Sequence, residues 1–236
     1  MKCDFSFKHY REILNLFKKN GYKFCFFSEY PDFMRKKVWL RHDIDFSPEY
    51  ALEFARFENK AKIHSTFFVR LPCPFYNVFD LFYLKIIREI SNLGHQIGLH
   101  YEGNTSNEKM IEKEVKKQIQ ILKNYFPIKK IVSFHRPSKF ILGKKFKSFI
   151  NTYQPEFFKK IKYLSDSKKN WREGCVCQWL ENNSPPKNFQ ILIHPVWWVI
   201  KERDPNLVLQ IYLKEKFKYL DNQLHQDSQV YKKKIF

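Results

Sequence analysis

The stretch Val38-Trp39-Leu40-Arg41-His42-Asp43-Ile44-Asp45-Phe46-Ser47-Pro48-Glu49 holds one complete step of an α/β chain. Its apolar start makes residues 38–41 a buried strand. Ser47 reads as an N-cap, Pro48 as the proline of a first helical turn and Glu49 as a carboxylate set against the helix dipole, so a helix starts there and runs to about residue 59. Between strand and helix lie His42, Asp43, Ile44 and Asp45. In parallel β/α folds that place, the C-terminal end of a strand, is the rim on which active sites form.

The same alternation extends in both directions and predicts a β/α architecture with parallel strands. Upstream, Tyr10, Ile13, Leu14 and Phe17 form one stripe of a helix over 7–20 that Gly21 stops, and a strand follows at 23–27. Downstream, strands are expected at 65–69, 96–99, 130–134, 162–164, 176–180 and 190–193. Helices are expected at 80–92, ending at Gly94, and at 206–220. Another, capped by Ser106, runs toward Phe126 with Ile111, Val115, Ile119 and Leu122 as its buried stripe. No repeat or linker intervenes, and 236 residues with 44% hydrophobic content suffice for one sizeable core, so one domain is expected over 1–236. Its motif core spans about 36–200, followed by a C-terminal helix and tail over 204–236 whose last ten or so residues carry little core signal.

Composition removes several classes. Six glycines and no apolar run near the roughly 18 residues of a membrane helix exclude collagen-like and membrane-spanning chains. Lys, His, Arg and Asp stand in the first twenty residues where a signal peptide needs an apolar core, and five cysteines without a paired C-x-x-C suggest reduced thiols. A cytoplasmic location is the expectation. A net charge of +19 invites a nucleic-acid or anionic-lipid partner. Its basic residues are mostly Lys and spread over the whole length, among many Phe, Ile and Asn, as an A/T-biased genome would write them. No nucleic-acid partner is therefore expected, whereas peripheral contact with an anionic membrane surface suits the charge.

The unusual polar residues gather at five strand ends: His42-Asp43-Ile44-Asp45, His100-Tyr101-Glu102, His135-Arg136-Pro137, Ser165-Asp166-Ser167 and His194-Pro195. On extended backbone Asp43 and Asp45 point the same way with Cα atoms roughly 6.6 Å apart, so two carboxylates meet one centre. A divalent metal would remove their repulsion; the alternative is that one caps the following helix and the other is solvated. His100 ends a strand that opens Gly94-His95-Gln96-Ile97-Gly98, where two glycines imply close backbone approach, and it is the best single ligand candidate. His95 falls at the opposite rim. The aromatic residues Tyr101, Trp171, Trp197 and Trp198 could stack on sugar rings or fill the core, and of the adjacent Trp197 and Trp198 at most one faces a cleft.

Taken in order, RHDID, HSTFFV, GHQIGLH, HRPS, YLSDS followed by Trp171, and LIHP resemble the NodB-type polysaccharide deacetylase family of metal-dependent carbohydrate esterases, from about Arg41 to Trp197. The resemblance is to the divergent bacterial branch with H-D-x-D as first motif, many of whose members look like surface-polysaccharide biosynthesis proteins. It implies a distorted (β/α) barrel of about seven strands. It implies also that Asp43 is the catalytic base, Asp45 a metal ligand, His100 the first metal histidine and His194 the general acid. Arg136 would hold the base carboxylate, and Asp166 would orient Arg136. The family's second metal histidine falls at Asn104 here, and Asn is a poorer zinc ligand than imidazole. His135 and Glu102 are the available replacements, and His135 is favoured because it completes a set of two histidines and one aspartate.

The resulting expectation is a metal-dependent amidohydrolase, most simply a zinc enzyme, that removes an N-acetyl or similar acyl group from an amino sugar of a polysaccharide, nucleotide-sugar or lipid-linked precursor. The alternative keeps the fold without the chemistry: an inactive relative that binds glycan or a polysaccharide-assembly partner. Sugar, acyl group, metal and oligomeric state stay open.

Overall fold

The computed structural model describes residues 3–32, 34–103 and 105–232. Its elements in chain order are α1 (Phe7–Lys19), β1 (Lys23–Phe24), β2 (Lys37–Ile44), α2 (Pro48–Lys60), β3 (Thr66–Arg70), α3 (Leu81–Asn92), β4 (Gln96–Tyr101), α4 (Glu108–Lys123) and β5 (Ile131–Phe134). There follow β6 (Ile150–Asn151), α5 (Pro155–Phe158), β7 (Lys162–Ser165), a 3-10 turn at Ser167–Lys169, α6 (Val176–Leu180), β8 (Asn188–Ile193), α7 (Val196–Val199) and α8 (Pro205–Asp227).

All the strand pairings are parallel, along a path β6-β5-β4-β3-β2-β8-β7, with β1 beside the first residues of β2. This seven-strand sheet curls into a half-barrel flanked by helices, the distorted (β/α) barrel of a single domain. β2 lies at its centre. Seven of its eight residues are buried, because both faces of a parallel sheet are covered.

Alternation along β2 sorts its side chains. Val38, Leu40 and Ile44 face the helix layer and join the large core cluster, while Trp39 joins a smaller cluster with Cys25, Phe27, Phe68, Ile131 and Phe157 inside the curl. Arg41 and Asp43 share the parity of Trp39 and continue that inner face toward the rim. His42, on the helix side, reaches a wholly buried carboxylate, Glu58 of α2, at 2.6 Å. Ser65 Oγ donates to the other oxygen of Glu58 at 2.6 Å, and the Tyr10 hydroxyl donates to the oxygen that His42 meets. Glu58 thus ties α1, α2 and β2 together. Burial pushes its carboxyl upward, but the neighbouring His42, His95 and Ser65 more than offset this and leave it below the usual range.

The helix starts follow capping chemistry. Ser47 Oγ accepts from Tyr50 N, with Pro48 in the first turn, and Asp80 accepts from Phe82 N to start α3. α4 is capped by Asn107, one residue after the expected Ser106. Residues 176–180, expected as a strand, form α6: Cys175 and Gln178 make a capping box, and β8 already pairs with β2 on one side and β7 on the other. Beyond α8 the described residues have no regular structure, and 233–236 lie outside them. No helix among the described residues is long and apolar enough to cross a membrane.

Candidate functional site

β2, β4, β5 and β8 deliver their last inward-facing side chains to one place. Asp45 sits one residue past the end of β2, and the Tyr76 hydroxyl, donating to Ile44 O at 3.0 Å, fixes the backbone just before it. His100 Nε2 lies 2.9 Å from Asp45 Oδ1, and His135 Nε2 lies 3.8 Å from the same oxygen. His194 Nε2 approaches the other oxygen, Oδ2, to 3.7 Å. Three imidazoles therefore converge on one carboxylate. Burial pushes Asp45 upward, but the hydrogen bond from His100 and the charges of His100, His194 and His135 hold it well below the usual carboxylate range.

Close packing gives His100 this position. On the same face, two residues earlier, Gly98 leaves room for the Phe68 ring: a Cβ there would fall 2.5 Å from Phe68 Cε1 and 2.9 Å from Ile131 O. His100 Nδ1 faces the Ser133 carbonyl at 3.1 Å, and His135 Nδ1 faces Glu102 Oε1 at 3.0 Å. Glu102 is itself held by an ion pair with Arg70. Both Nδ1 atoms thus meet acceptors, which leaves both Nε2 atoms turned toward Asp45, the orientation that carboxylate and carbonyl partners impose on metal-binding histidines. Burial lowers the pKa of His135 and favours its neutral, ligating form, whereas for His100 burial is outweighed by Asp43 and Asp45 and the value rises.

Asp45, His100 and His135 offer ligand atoms that all lie within 4.8 Å of one another. Two imidazoles and a carboxylate are a donor set that suits zinc and similar divalent ions, so these residues fit a metal. Glu102 takes the place of an orienting partner on the far nitrogen of His135. Asn104 lies outside the described residues.

Asp43 lies behind this group. Its Oδ2 accepts from Ser133 Oγ at 2.9 Å and from Arg41 Nη2 at 3.3 Å, while its buried Oδ1 has no hydrogen-bond partner. The expected guanidinium for Asp43 was Arg136, and here the structure corrects the reading. Arg136 is exposed, on left-handed backbone (φ 50°), and the ion-pair partners of Asp43 among the described residues are Arg41 and His100. Arg41 is wholly buried and anchored by Tyr153, Thr152 and Gln190, so it is a fixed cation, whereas Arg136 lies at the surface. The strand periodicity that pairs Asp43 with Asp45 puts Arg41 on the same face, so the signal for it was present in the sequence.

Asp166 is corrected in the same way. Instead of orienting Arg136, it accepts from His194 N, from Trp198 Nε1 at 2.7 Å and meets His194 Nδ1 at 2.6 Å. Burial lowers the pKa of His194, but the charge and hydrogen bond of Asp166, with Asp45 and Asp43, raise it to about 9. The four aromatics considered for sugar stacking, Tyr101, Trp171, Trp197 and Trp198, are all buried and belong to the core. Trp171 also edges a cavity of about 530 Å³, which Arg136, Tyr153, Tyr163, Ser165 and Arg172 line too. Tyr153 links that cavity to Arg41 and hence to Asp43.

No family model matches the chain, and no curated protein matches it in sequence. Among solved structures, a family 4 carbohydrate esterase from Bacillus anthracis is similar at 16% identity, over 87% of this chain and 86% of that one, with a TM-score of 0.46. A family 4 acetyl xylan esterase from Clostridium thermocellum in complex with a cobalt ion matches at 18% identity over 77% and 84%, with a TM-score of 0.39. A pseudoenzyme of the same family from Bacillus anthracis matches at 12% identity over 80% and 63%, with a TM-score of 0.47.

Proposed function

We propose that this chain is a metal-dependent hydrolase that removes an N-acetyl, or similar acyl, group from an amino sugar of a polysaccharide, nucleotide-sugar or lipid-linked precursor. The observation that carries the reading is the convergence of two differently equipped groups on Asp45: His100 and His135, oriented as ligands, and His194, oriented by Asp166. Asp45, His100 and His135 would hold the ion, most simply zinc. When bound, a divalent cation there supplies Lewis acidity, polarising an acyl carbonyl and acidifying water.

The rest of the work falls to the chain. Asp43, with Oδ2 fixed by Arg41 and Ser133, keeps Oδ1 free of protein partners to accept the proton of an attacking water. Arg41 holds that carboxylate in its orientation through Oδ2. His194, with Nδ1 bound to Asp166, holds a proton on Nε2 for the departing amine as the acyl C–N bond breaks. The products are a carboxylic acid and a free amino sugar.

Arg136 and Arg172 line the adjoining cavity and would meet a phosphate-bearing leaving portion, which suits a nucleotide- or lipid-linked substrate. The +19 charge would further favour such substrates or peripheral contact with an anionic membrane surface, and no nucleic acid is invoked. A cytoplasmic role in surface-polysaccharide biosynthesis, as in the H-D-x-D branch, fits this substrate class.

The test is release of acetate from N-acetylated amino-sugar nucleotides and short glycans by zinc-loaded protein, compared with Asp43→Asn and His194→Gln. Turnover in the wild type that falls by at least ~10²-fold in each variant supports the reading. Tight glycan binding with no turnover, by protein carrying the metal, would make it an inactive binding protein.

A further inference from the structure

A second group of metal-binding side chains shares no residue with that site. Cys3 in the segment before α1, His9 on α1 and Cys175 at the N-cap of α6 bring two sulfurs and one imidazole nitrogen within 4.8 Å of one another. His9 is 4% exposed and Cys175 5%, and all five cysteines of the chain are free. His9 Nε2 lies 3.2 Å from Cys175 Sγ, while its Nδ1 lies 3.1 Å from Glu12 Oε2. The carboxylate engages one ring nitrogen and turns the other toward the sulfurs, the device that orients His135 at the first site.

The segment carrying Cys3 is held firmly. Phe5, between Cys3 and His9, has a left-handed φ of 53°, which a bulky residue adopts only when its surroundings impose it. Its ring packs on Trp198 at 5.1 Å and on Trp171 at 6.4 Å.

We propose that Cys3, His9 and Cys175 form a second metal site, for zinc or another thiolate-seeking divalent ion, that staples the N-terminal segment to the turn leading into α6. Two thiolates and an imidazole select such ions over magnesium or calcium, which take oxygen ligands. A cavity of about 320 Å³ lined by Cys3, Asp4, Phe5, Lys169 and Arg203 opens beside the cluster on the Cys3 side. The ion joins residues more than 160 positions apart, so its binding energy adds to folding stability.

Cobalt added to reduced, metal-free full-length protein reads the site directly, because only a thiolate ligand gives a sulfur-to-cobalt charge-transfer band in the near ultraviolet. The band is expected in the wild type and in Asp45→Ala, and is expected to vanish in Cys3→Ser and His9→Gln. Cys175 is deep in the core, so the exposed-side variant Glu12→Gln serves as the check that does not threaten the fold. It should weaken cobalt binding by about 10- to 100-fold with an unchanged circular dichroism spectrum. No band at saturating cobalt in the wild type, or an undiminished band in Cys3→Ser, overturns the proposal. So does a Cys3–Cys175 disulfide that forms on air oxidation as fast with zinc present as without it. Loss of the band in Asp45→Ala would show that the cobalt sits elsewhere, and equally overturns it.

Discussion

Arg41 and Asp43 stand two residues apart on the same face of one strand, with Nη2 of the arginine 3.3 Å from Oδ2 of the aspartate and both side chains buried. Burial makes the pair asymmetric to mutation. Attraction between the charges is strong where water is excluded, and removing one member leaves the other without compensation.

Arg41→Gln is therefore expected to lower unfolding free energy by about 3–5 kcal/mol. Arg136→Gln, at an exposed position, should stay within about 0.5 kcal/mol of the wild type. Urea midpoints of both variants check this. Comparable losses at the two positions would mean that Arg136 carries a buried duty the ion pairs do not reveal.

Glu102 Oε1 lies 3.0 Å from His135 Nδ1, so in the proposed site it orients the imidazole and is not itself a ligand. Glu102→Gln should then weaken zinc binding at the Asp45 site by about 10- to 100-fold, because it loosens the ring and lowers its basicity, yet leave that site filled at saturation. His135→Ala should weaken binding further, and Asp45→Ala at least as much. Competition with a chromophoric chelator gives all three affinities. Should Glu102→Gln exceed His135→Ala in its effect, the carboxylate is the ligand and the imidazole its support.

Glu58 ties the helix layer to β2 through His42, Ser65 and Tyr10. Its folded pKa lies below the unfolded value near 4.3, so its stabilisation is fully present above about pH 4.3 and is lost as pH falls through the folded value. Glu58→Gln should flatten the acid limb of the stability profile, and Glu58→Ala should cost about 3–5 kcal/mol at neutral pH. Thermal midpoints across the acid range read both effects. An unchanged acid limb in Glu58→Gln would assign acid unfolding to other carboxylates.

Gly98 marks a close approach inside the curl. Gly98→Ala forces the Phe68 ring or the Ile131 carbonyl to move and is expected to cost about 1–3 kcal/mol. Phe68→Leu made in the same chain should restore part of that loss, a coupling that a double-mutant cycle measures. Simple additivity of the two changes would show that the strain is taken up elsewhere.

Much of the framework was legible before folding. Parallel β/α alternation, the Ser47 and Asp80 helix starts and the placement of Asp45, His100, His135, Asp166 and His194 at strand ends all follow from local rules of period, capping and strand direction. Residues 176–180 were misread because a short apolar run has no period long enough to separate strand from helix, and only the β7–β8 pairing decides it.

What sequence could not decide is which charges meet. Asp166 lies 28 positions from His194 and Ser133 lies 90 from Asp43, and chain separation carries no information about which rim side chains touch. The packing of the strands side by side brought Ser133 to Asp43, left Arg136 facing solvent and set Glu102 against His135. Residue types and spacing determined the ingredients of the site. Sheet register and curvature decided their partners, because electrostatic pairing depends on distances of a few ångströms that exist only once the strands are side by side.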